Sequence, residues 1–449
     1  MGEIITVEVT DLAFDGKAVG QNDGKVVFMN AGLPGETVEA EITRCKPRYD
    51  HARVTRIIDR APERIEAPCQ HFDICGGCAW QDLQYDQQLK YKEKQVADCL
   101  ARLGHLEDVQ VLPIMPAEEQ FFYRNKMEFS FNVADSSFRL GLHERGRFDS
   151  IFDVEQCHLQ SESSNRIVAA VREWVVANEV PVYDIMEQIG YMRFLVVREG
   201  KRTGQIMVNV VTNLGPLPDQ GGLIELLTKT VPEITTVLHS QTGSKGNVAV
   251  GEIETVLTGP GYIEEQLFDK RFRIRSNSFF QTNSNQAERL YQTGFDMLSA
   301  SPDDRIMDLY CGTGTIGLLL ADRVKEVIGV ELVEDAVRAA HQNAELNNVT
   351  NISFYQGHVK EYLRTEAADA GEIHAVIVDP PRAGMNPKAL RRLIRMHPPK
   401  LLYISCNPAT FARDAAELTK QGYQLPAVQP VDMFPHTMHV ELVGLFIAQ

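Results

Sequence analysis

From about Arg271 to the C-terminus the chain repeats one pattern: an apolar strand, a glycine or polar turn, then a helix. RIMDLYCGTGTIGLLLA shows it first, and EVIGVELVEDAVRAAHQNAELNN repeats it. ISFYQG, HAVIVDPP and KLLYISCN each end an apolar run in polar or Gly/Pro residues. Strands alternating with helices predict a doubly wound parallel sheet. Ligands of such sheets bind beyond the carboxyl ends of the strands. The residues at those ends are therefore the first candidates for chemistry.

The first strand end carries Asp308, then Gly312, Gly314 and Gly317. Glycines there let backbone approach a ligand at a helix N-terminus, but the spacing alone does not choose the ligand. Glu331 ends the next strand, where a carboxylate suits ribose hydroxyls, so NAD competes. Asp308 favours S-adenosylmethionine, whose cationic amino-acid end wants a nearby carboxylate.

Cys406 ends the strand KLLYIS and precedes Asn407-Pro408. A thiol beside a helix N-terminus is expected to have a lowered pKa and to be a usable nucleophile. Asp379-Pro-Pro-Arg382 ends the preceding strand, and His436, His439 and Glu441 lead into the last one. Nucleophile, acid and candidate base thus converge on one sheet edge. Arg382, Lys388, Arg391, Arg392, Arg395 and Lys400 follow with no acidic residue between them. That basic helix suits a polyanion, or else is a solvated face.

Residues 1–59 read as short strands with turn glycines, which predicts a small OB-like barrel. The chain as a whole carries −16, yet Arg44 to Arg60 holds six basic residues against two acidic ones, with Tyr49 and His51 between. Bulk charge argues against indiscriminate nucleic-acid binding, but binding follows the local field. Small barrels with rings beside cations often bind oligonucleotides. RAPERIEAP reads as a linker, and AWQDLQYDQQLKYKEKQVADCLARLG as a helix ending at Gly104. The expected division is 1–59 barrel, 60–270 α+β middle domain, and 271–449 sheet domain.

No apolar run reaches the about 18 residues of a membrane span, and the start lacks the features of a secretory signal. A cytoplasmic protein is expected, without a disulfide framework. Of eight cysteines, Cys69, Cys75 and Cys78 form a C-x5-C-x2-C cluster, with Cys157 further on. Four thiolates can hold a [4Fe–4S] cluster or a zinc ion. The spacing is not that of radical S-adenosylmethionine enzymes. Cys45, Cys99 and Cys311 read as structural.

Asp379-Pro-Pro-Arg-Ala-Gly384, followed sixteen residues later by Leu401-Leu-Tyr-Ile-Ser-Cys-Asn-Pro-Ala-Thr410, resembles one signature of the RNA uracil-C5 methyltransferases. Val431-Asp-Met-Phe-Pro-His-Thr-Met-His-Val-Glu441 is similar to the second. Ser278-Phe-Phe-Gln-Thr-Asn283 resembles the segment preceding that family's catalytic core. The resemblance spans nearly the whole chain. It implies an N-terminal TRAM domain, a C-terminal Rossmann-like class I methyltransferase domain, and the iron–sulfur version of the four-cysteine pattern.

The resemblance also implies roles. Cys406 would be the nucleophile and Glu441 the base. Gln281, Tyr310, Thr315, Glu331 and Asp379 would contact S-adenosylmethionine. His358 stands where family members carry a polar or acidic adenine contact, a departure. Cys69, Cys75, Cys78 and Cys157 would ligate the [4Fe–4S] cluster as a fold staple. The implied activity is 5-methyluridine formation in 23S ribosomal RNA by a monomer that needs no membrane. The same chemistry on the transfer-RNA T-loop competes, as more distantly do an iron–sulfur oxidoreductase and a non-catalytic RNA-binding protein. The target uridine would have to leave its stack to reach the thiol.

Overall fold

The computed structural model of the chain describes residues 2–449 except 15, 135–136 and 368–369. Strands Ile4–Leu12, Ala18–Asn22, Lys25–Met29, Thr37–Cys45 and Tyr49–Asp59 close into a barrel. Ile4–Leu12 alternates outward and inward residues as its sequence does, sending Ile5, Val7, Val9 and Leu12 into the barrel core. Gly20 is required where strands cross: a Cβ there would lie 2.4 Å from Val7 and 2.5 Å from the Glu8 carbonyl. Trp80 and Leu83 complete the same core from outside the barrel.

The expected basic stripe is partly neutralised. Arg53 pairs with Glu41 at 2.6 Å and Arg56 with Glu39 at 3.4 Å, both across neighbouring strands. Phe28, Tyr49 and His51 form a ring cluster on the barrel, with centroids 5.4–6.0 Å apart.

The middle of the chain builds a seven-stranded sheet. Its order is Ile253–Thr258, Ile234–Gln241, Ile206–Thr212, Met192–Glu199, Lys126–Ala134, Ser137–His143, Ile151–Asp153. Helices Glu162–Ala177 and Gln220–Thr230 pack together beside it, an α+β arrangement as expected.

The C-terminal sheet runs Ile352–Gln356, Glu326–Glu331, Arg305–Leu309, Ala375–Val378, Lys400–Ser405, Glu441–Ala448, Ala427–Val431, Gln110–Val111. The first five are mutually parallel, and Glu441–Ala448 is antiparallel to Lys400–Ser405. The four inner parallel strands are buried on both faces, which is why they read as apolar runs, whereas Ile352–Gln356 at the edge is half-buried to exposed.

Packing crosses the expected division of the chain. Gln110–Val111 pairs with Ala427–Val431, and helix Tyr85–Cys99 lies on the helix Pro408–Lys420. That early helix starts at Tyr85, later than its sequence pattern suggests. The N–H groups of Ala79 and Trp80 are instead committed to the His436 carbonyl, at 2.8 and 3.0 Å. Cys99 and Cys311 are buried as expected of structural residues, whereas Cys45 is exposed at a strand end.

Candidate active site

Two strands set the centre. Ser405 pairs with Leu442, so one residue further along Cys406 comes opposite Glu441. Val378 pairs with Tyr403 on the other side, which brings Asp379 to the same edge. Asn407 then caps the helix Pro408–Lys420, its Oδ1 accepting the Ala409 N–H at 3.0 Å. Its Nδ2 donates to the Arg382 carbonyl at 3.0 Å, and Thr410 Oγ1 donates to the same oxygen at 3.3 Å. The Asp379–Gly384 loop and the Cys406 loop, both within the first signature, are thereby tied to each other.

The electrostatics correct one expectation. Cys406 was expected to have a lowered pKa beside the helix N-terminus. Burial, then Glu441 and Asp379, push its thiol up to about 11, with Arg382 opposing. The helix end is outweighed chiefly by burial of the sulfur, with the two acids adding to it. Burial also lifts Asp379 to about 7. Glu441 is raised well above the carboxylate range, first by burial and then by Asp379. Asp308 is pushed to about 8 by burial, with Asp379 and Glu331 adding to it and the Gly317 N–H opposing. Buried carboxyls gathered at one edge favour a cationic ligand.

The glycine turn is shaped to receive such a ligand. Gly312 has φ +54 and Gly314 φ +79, and nothing lies within 4 Å of where a Gly312 Cβ would sit. Glu331 Oε2 accepts the Gly312 N–H at 3.1 Å, while Oε1 accepts those of Leu332 and Val333 at 2.7 and 2.8 Å. Thr315 opens the helix Thr315–Leu320, and Tyr310 stands beside it at φ +67. His358 is exposed at the start of helix Val359–Thr365, and the neighbouring Gly357 N–H bonds the Glu331 carbonyl at 2.8 Å. Asp308, expected near the ligand's cationic end, is instead sealed beneath the turn. Its Oδ2 accepts the Gly317 N–H at 3.0 Å, and its buried Oδ1 has no hydrogen-bond partner among the described residues. The cradle, a carboxylate at the next strand end and an acidic floor fit S-adenosylmethionine.

Gln281 is buried beside the middle sheet. Asn125 Nδ2 donates to its carbonyl at 2.9 Å, and the Asn125 N–H bonds Thr282 O at 2.8 Å. Arg198 donates to the Ser278 carbonyl of the same segment. Sequence reasoning missed these anchors, because an Asn and an Arg in strand-like runs carry no local signal. It also missed Tyr291, buried on helix Ser284–Leu298 within reach of Gln281 and surrounded by Asp379, Glu441 and Asp308. At its helical spacing Tyr291 reads only as core.

Cys69, Cys75, Cys78 and Cys157 come together, bordering one open cavity of about 760 Å³. Gly77 N–H points at Cys75 Sγ at 3.3 Å and Gln81 Nε2 at Cys78 Sγ at 3.2 Å. Burial raises the thiols of Cys75 and Cys157 and pushes Cys78 up to about 12. Among the described residues, no group of three or more His, Cys, Asp or Glu side chains is drawn together tightly enough to hold a single metal ion.

The glycine turn after the first strand of a parallel sheet, with an antiparallel last strand, defines a class I methyltransferase domain joined to a barrel. A profile described as tRNA (Uracil-5-)-methyltransferase matches residues 251–449, and a TRAM domain profile matches residues 1–55. An RNA methyltransferase of Chlorobaculum tepidum is 39% identical over 99% of this chain and 96% of its own length. One from Caldanaerobacter subterraneus is 38% identical over 99% and 98%. The structure of a Pyrococcus abyssi tRNA (uracil-54, C5)-methyltransferase, in complex with S-adenosyl-L-homocysteine, matches with TM-score 0.79 and 32% identity. That match covers 99% of this chain and 100% of the other. The chain belongs to the RNA uracil-5-methyltransferase family with a TRAM domain, and it is an S-adenosylmethionine-dependent RNA methyltransferase. Among the described residues no helix is long and apolar enough to cross a membrane.

Proposed function

We propose that this enzyme forms 5-methyluridine at a specific uridine of 23S ribosomal RNA, through a covalent bond between Cys406 and uracil C6. The observation that carries the mechanism is the strand register that sets Cys406 opposite Glu441 with Asp379 beside them. Uracil C5 is too weak a nucleophile to be methylated unaided. Attack of the Cys406 thiolate on C6 moves electron density to C5 and O4, making C5 a carbon nucleophile. S-adenosylmethionine supplies the electrophilic methyl group. Glu441 then takes the C5 proton, the C5–H electron pair restores the C5–C6 double bond, and the thiolate leaves C6. Burial, then Asp379, raises the Glu441 carboxyl, so that once ionised it is a stronger base than an ordinary carboxylate. Gln281, Tyr310, Thr315, Glu331, His358 and Asp379 would contact the methyl donor.

The exposed stripe Lys388, Arg391 and Arg395 supports a polyanionic substrate, since among the described residues none has a carboxylate partner. The barrel combined with four gathered cysteines supports the ribosomal branch. Cys69, Cys75, Cys78 and Cys157 would hold a [4Fe–4S] cluster there. The four thiols border one opening, and those of Cys75 and Cys78 receive N–H donors, as cluster sulfurs do. Methyl transfer is redox-neutral, so such a cluster would act as a staple. A monomer working in the cytoplasm fits this reading. The transfer-RNA T-loop is a second reading, favoured by the likeness to the Pyrococcus abyssi enzyme.

One experiment separates them. Anaerobically purified protein is given labelled S-adenosylmethionine with unmodified 23S RNA or unmodified transfer RNA, and the nucleosides are analysed. Label in 5-methyluridine from the ribosomal sample alone is expected. Label from transfer RNA alone replaces the substrate, and label in neither refutes the assignment. Cys406→Ala should be inactive in both.

A further inference from the structure

The loop 432–440 leads from the strand Ala427–Val431 to Glu441 without regular structure of its own, so its path depends on side chains from elsewhere. Tyr123, Asn283 and Gln286 each hydrogen-bond one of its carbonyls, and three more side chains come from helix Tyr85–Cys99, hundreds of residues away in sequence. Lys92 is fully buried there and donates to Asp432 Oδ1 at 2.6 Å and to the Phe434 carbonyl at 2.9 Å. Tyr85 donates its hydroxyl to Asp432 Oδ2 at 2.7 Å. Gln88 Oε1 accepts the His436 N–H at 2.9 Å, while its Nε2 holds the Trp80 and Leu83 carbonyls at 2.8 Å. Ala79 and Trp80, the residues directly after Cys78, donate to the His436 carbonyl. His436 itself is held at φ +67 and stacked on Phe121 at 4.3 Å.

A fully buried ion pair is a poor source of stability, because desolvating both charges offsets their attraction. What Lys92 provides is direction: one ammonium fixes a carboxylate and a carbonyl two residues apart. We propose that Lys92 is a positioning residue, which through Asp432 and Phe434 sets the loop that delivers Glu441 to the target base. The proposal rests on Glu441 being the base. It makes proton abstraction at C5, and the release of Cys406 that follows, the step that depends on Lys92. Attack on C6 does not, because Cys406 directly follows a different strand, Lys400–Ser405, and is next to Asn407, which caps the helix Pro408–Lys420.

The test uses the full-length holoprotein and the RNA that the wild type methylates. Lys92→Met is combined with Asp432→Leu, so that no charge is left buried alone. Expected are a melting temperature near wild type, RNA affinity within about twofold, and normal formation of the covalent protein–RNA adduct on denaturing gels. Methyl turnover falls at least tenfold, roughly 1.4 kcal/mol in the barrier, and the adduct persists as it does in Glu441→Gln. Wild-type turnover in the folded double variant overturns the proposal. So does a parallel loss of adduct and turnover, which would mark a merely structural role. If that double variant does not fold, Tyr85→Phe removes only the hydroxyl that donates to Asp432 and accepts the Ala117 N–H, and should show the same split at about two- to fivefold. Failure of Glu441→Gln to accumulate adduct, with the wild type active, removes the Glu441 reading and this proposal with it.

Discussion

Glu331 Oε2 accepts the backbone N–H of Gly312 at 3.1 Å, so the acid ending one strand is latched to the glycine turn ending its neighbour. The latch holds the turn open where a ligand must enter, and it orients a carboxylate that can also meet ribose hydroxyls.

Glu331→Ala should therefore weaken S-adenosylmethionine binding about 10- to 100-fold, about 1.4–2.7 kcal/mol. Calorimetric titration of the variant checks this. The fold should survive, because Glu331 is only partly buried and its three partners are backbone N–H groups near the surface.

The raised carboxyls make stability depend on pH. Asp379 near 7 and Asp308 near 8 both lie above the ordinary carboxylate value in the unfolded chain. The folded state then binds their protons more tightly than the unfolded state. This contribution is complete below about pH 4 and is lost as pH rises through 7 and 8. The ligand-free melting temperature should fall between pH 6 and 9. A cationic ligand favours the ionised carboxylates, so S-adenosylmethionine affinity should climb over the same interval and level off above pH 8. Thermal scans at several pH values, with and without the ligand, test both slopes. In Asp379→Asn they should flatten.

The Cys406 thiol titrates near 11, chiefly through burial and two acids. Its alkylation by iodoacetamide should accelerate about tenfold per pH unit up to about pH 10. Asp379→Asn should move the profile to lower pH by removing one of those acids. Mass spectrometry of the Cys406 peptide gives the rates, and a plateau reached by pH 8 would contradict the environment described.

Lys388, Arg391 and Arg395 lie at helical spacing on one exposed face of Pro387–Met396. Replacing all three with Gln should reduce the salt dependence of RNA binding by about two, from about 0.7 per phosphate contact on single strands. Methyl transfer to a short RNA at low salt should change little. An unchanged salt slope would make the stripe a solvated face.

Much of this was legible along the chain. Apolar runs ending in Gly, Glu, Asp and Cys predicted the parallel sheet and its working edge, because strands buried on both faces show no alternation and strand ends are where backbone meets ligand. The barrel followed from alternation in Ile4–Leu12 and Thr37–Cys45. The four cysteines could be paired with a common purpose by resemblance, although Cys157 lies far from the others in sequence. What the tertiary structure alone decided are relations between distant segments. Lys92 and Asp432 read separately as a helix charge and a loop acid, and only folding buries them against each other. The early helix joins the last domain because its apolar face finds Pro408–Lys420, which no local period can announce. Cys406 has a raised thiol pKa rather than a lowered one because folding buries it and brings Glu441 and Asp379 to it from other strands. Local pattern determines which elements form and which residues stand at their ends. Burial and through-space charge, which set the chemistry of those residues, exist only once the elements have packed.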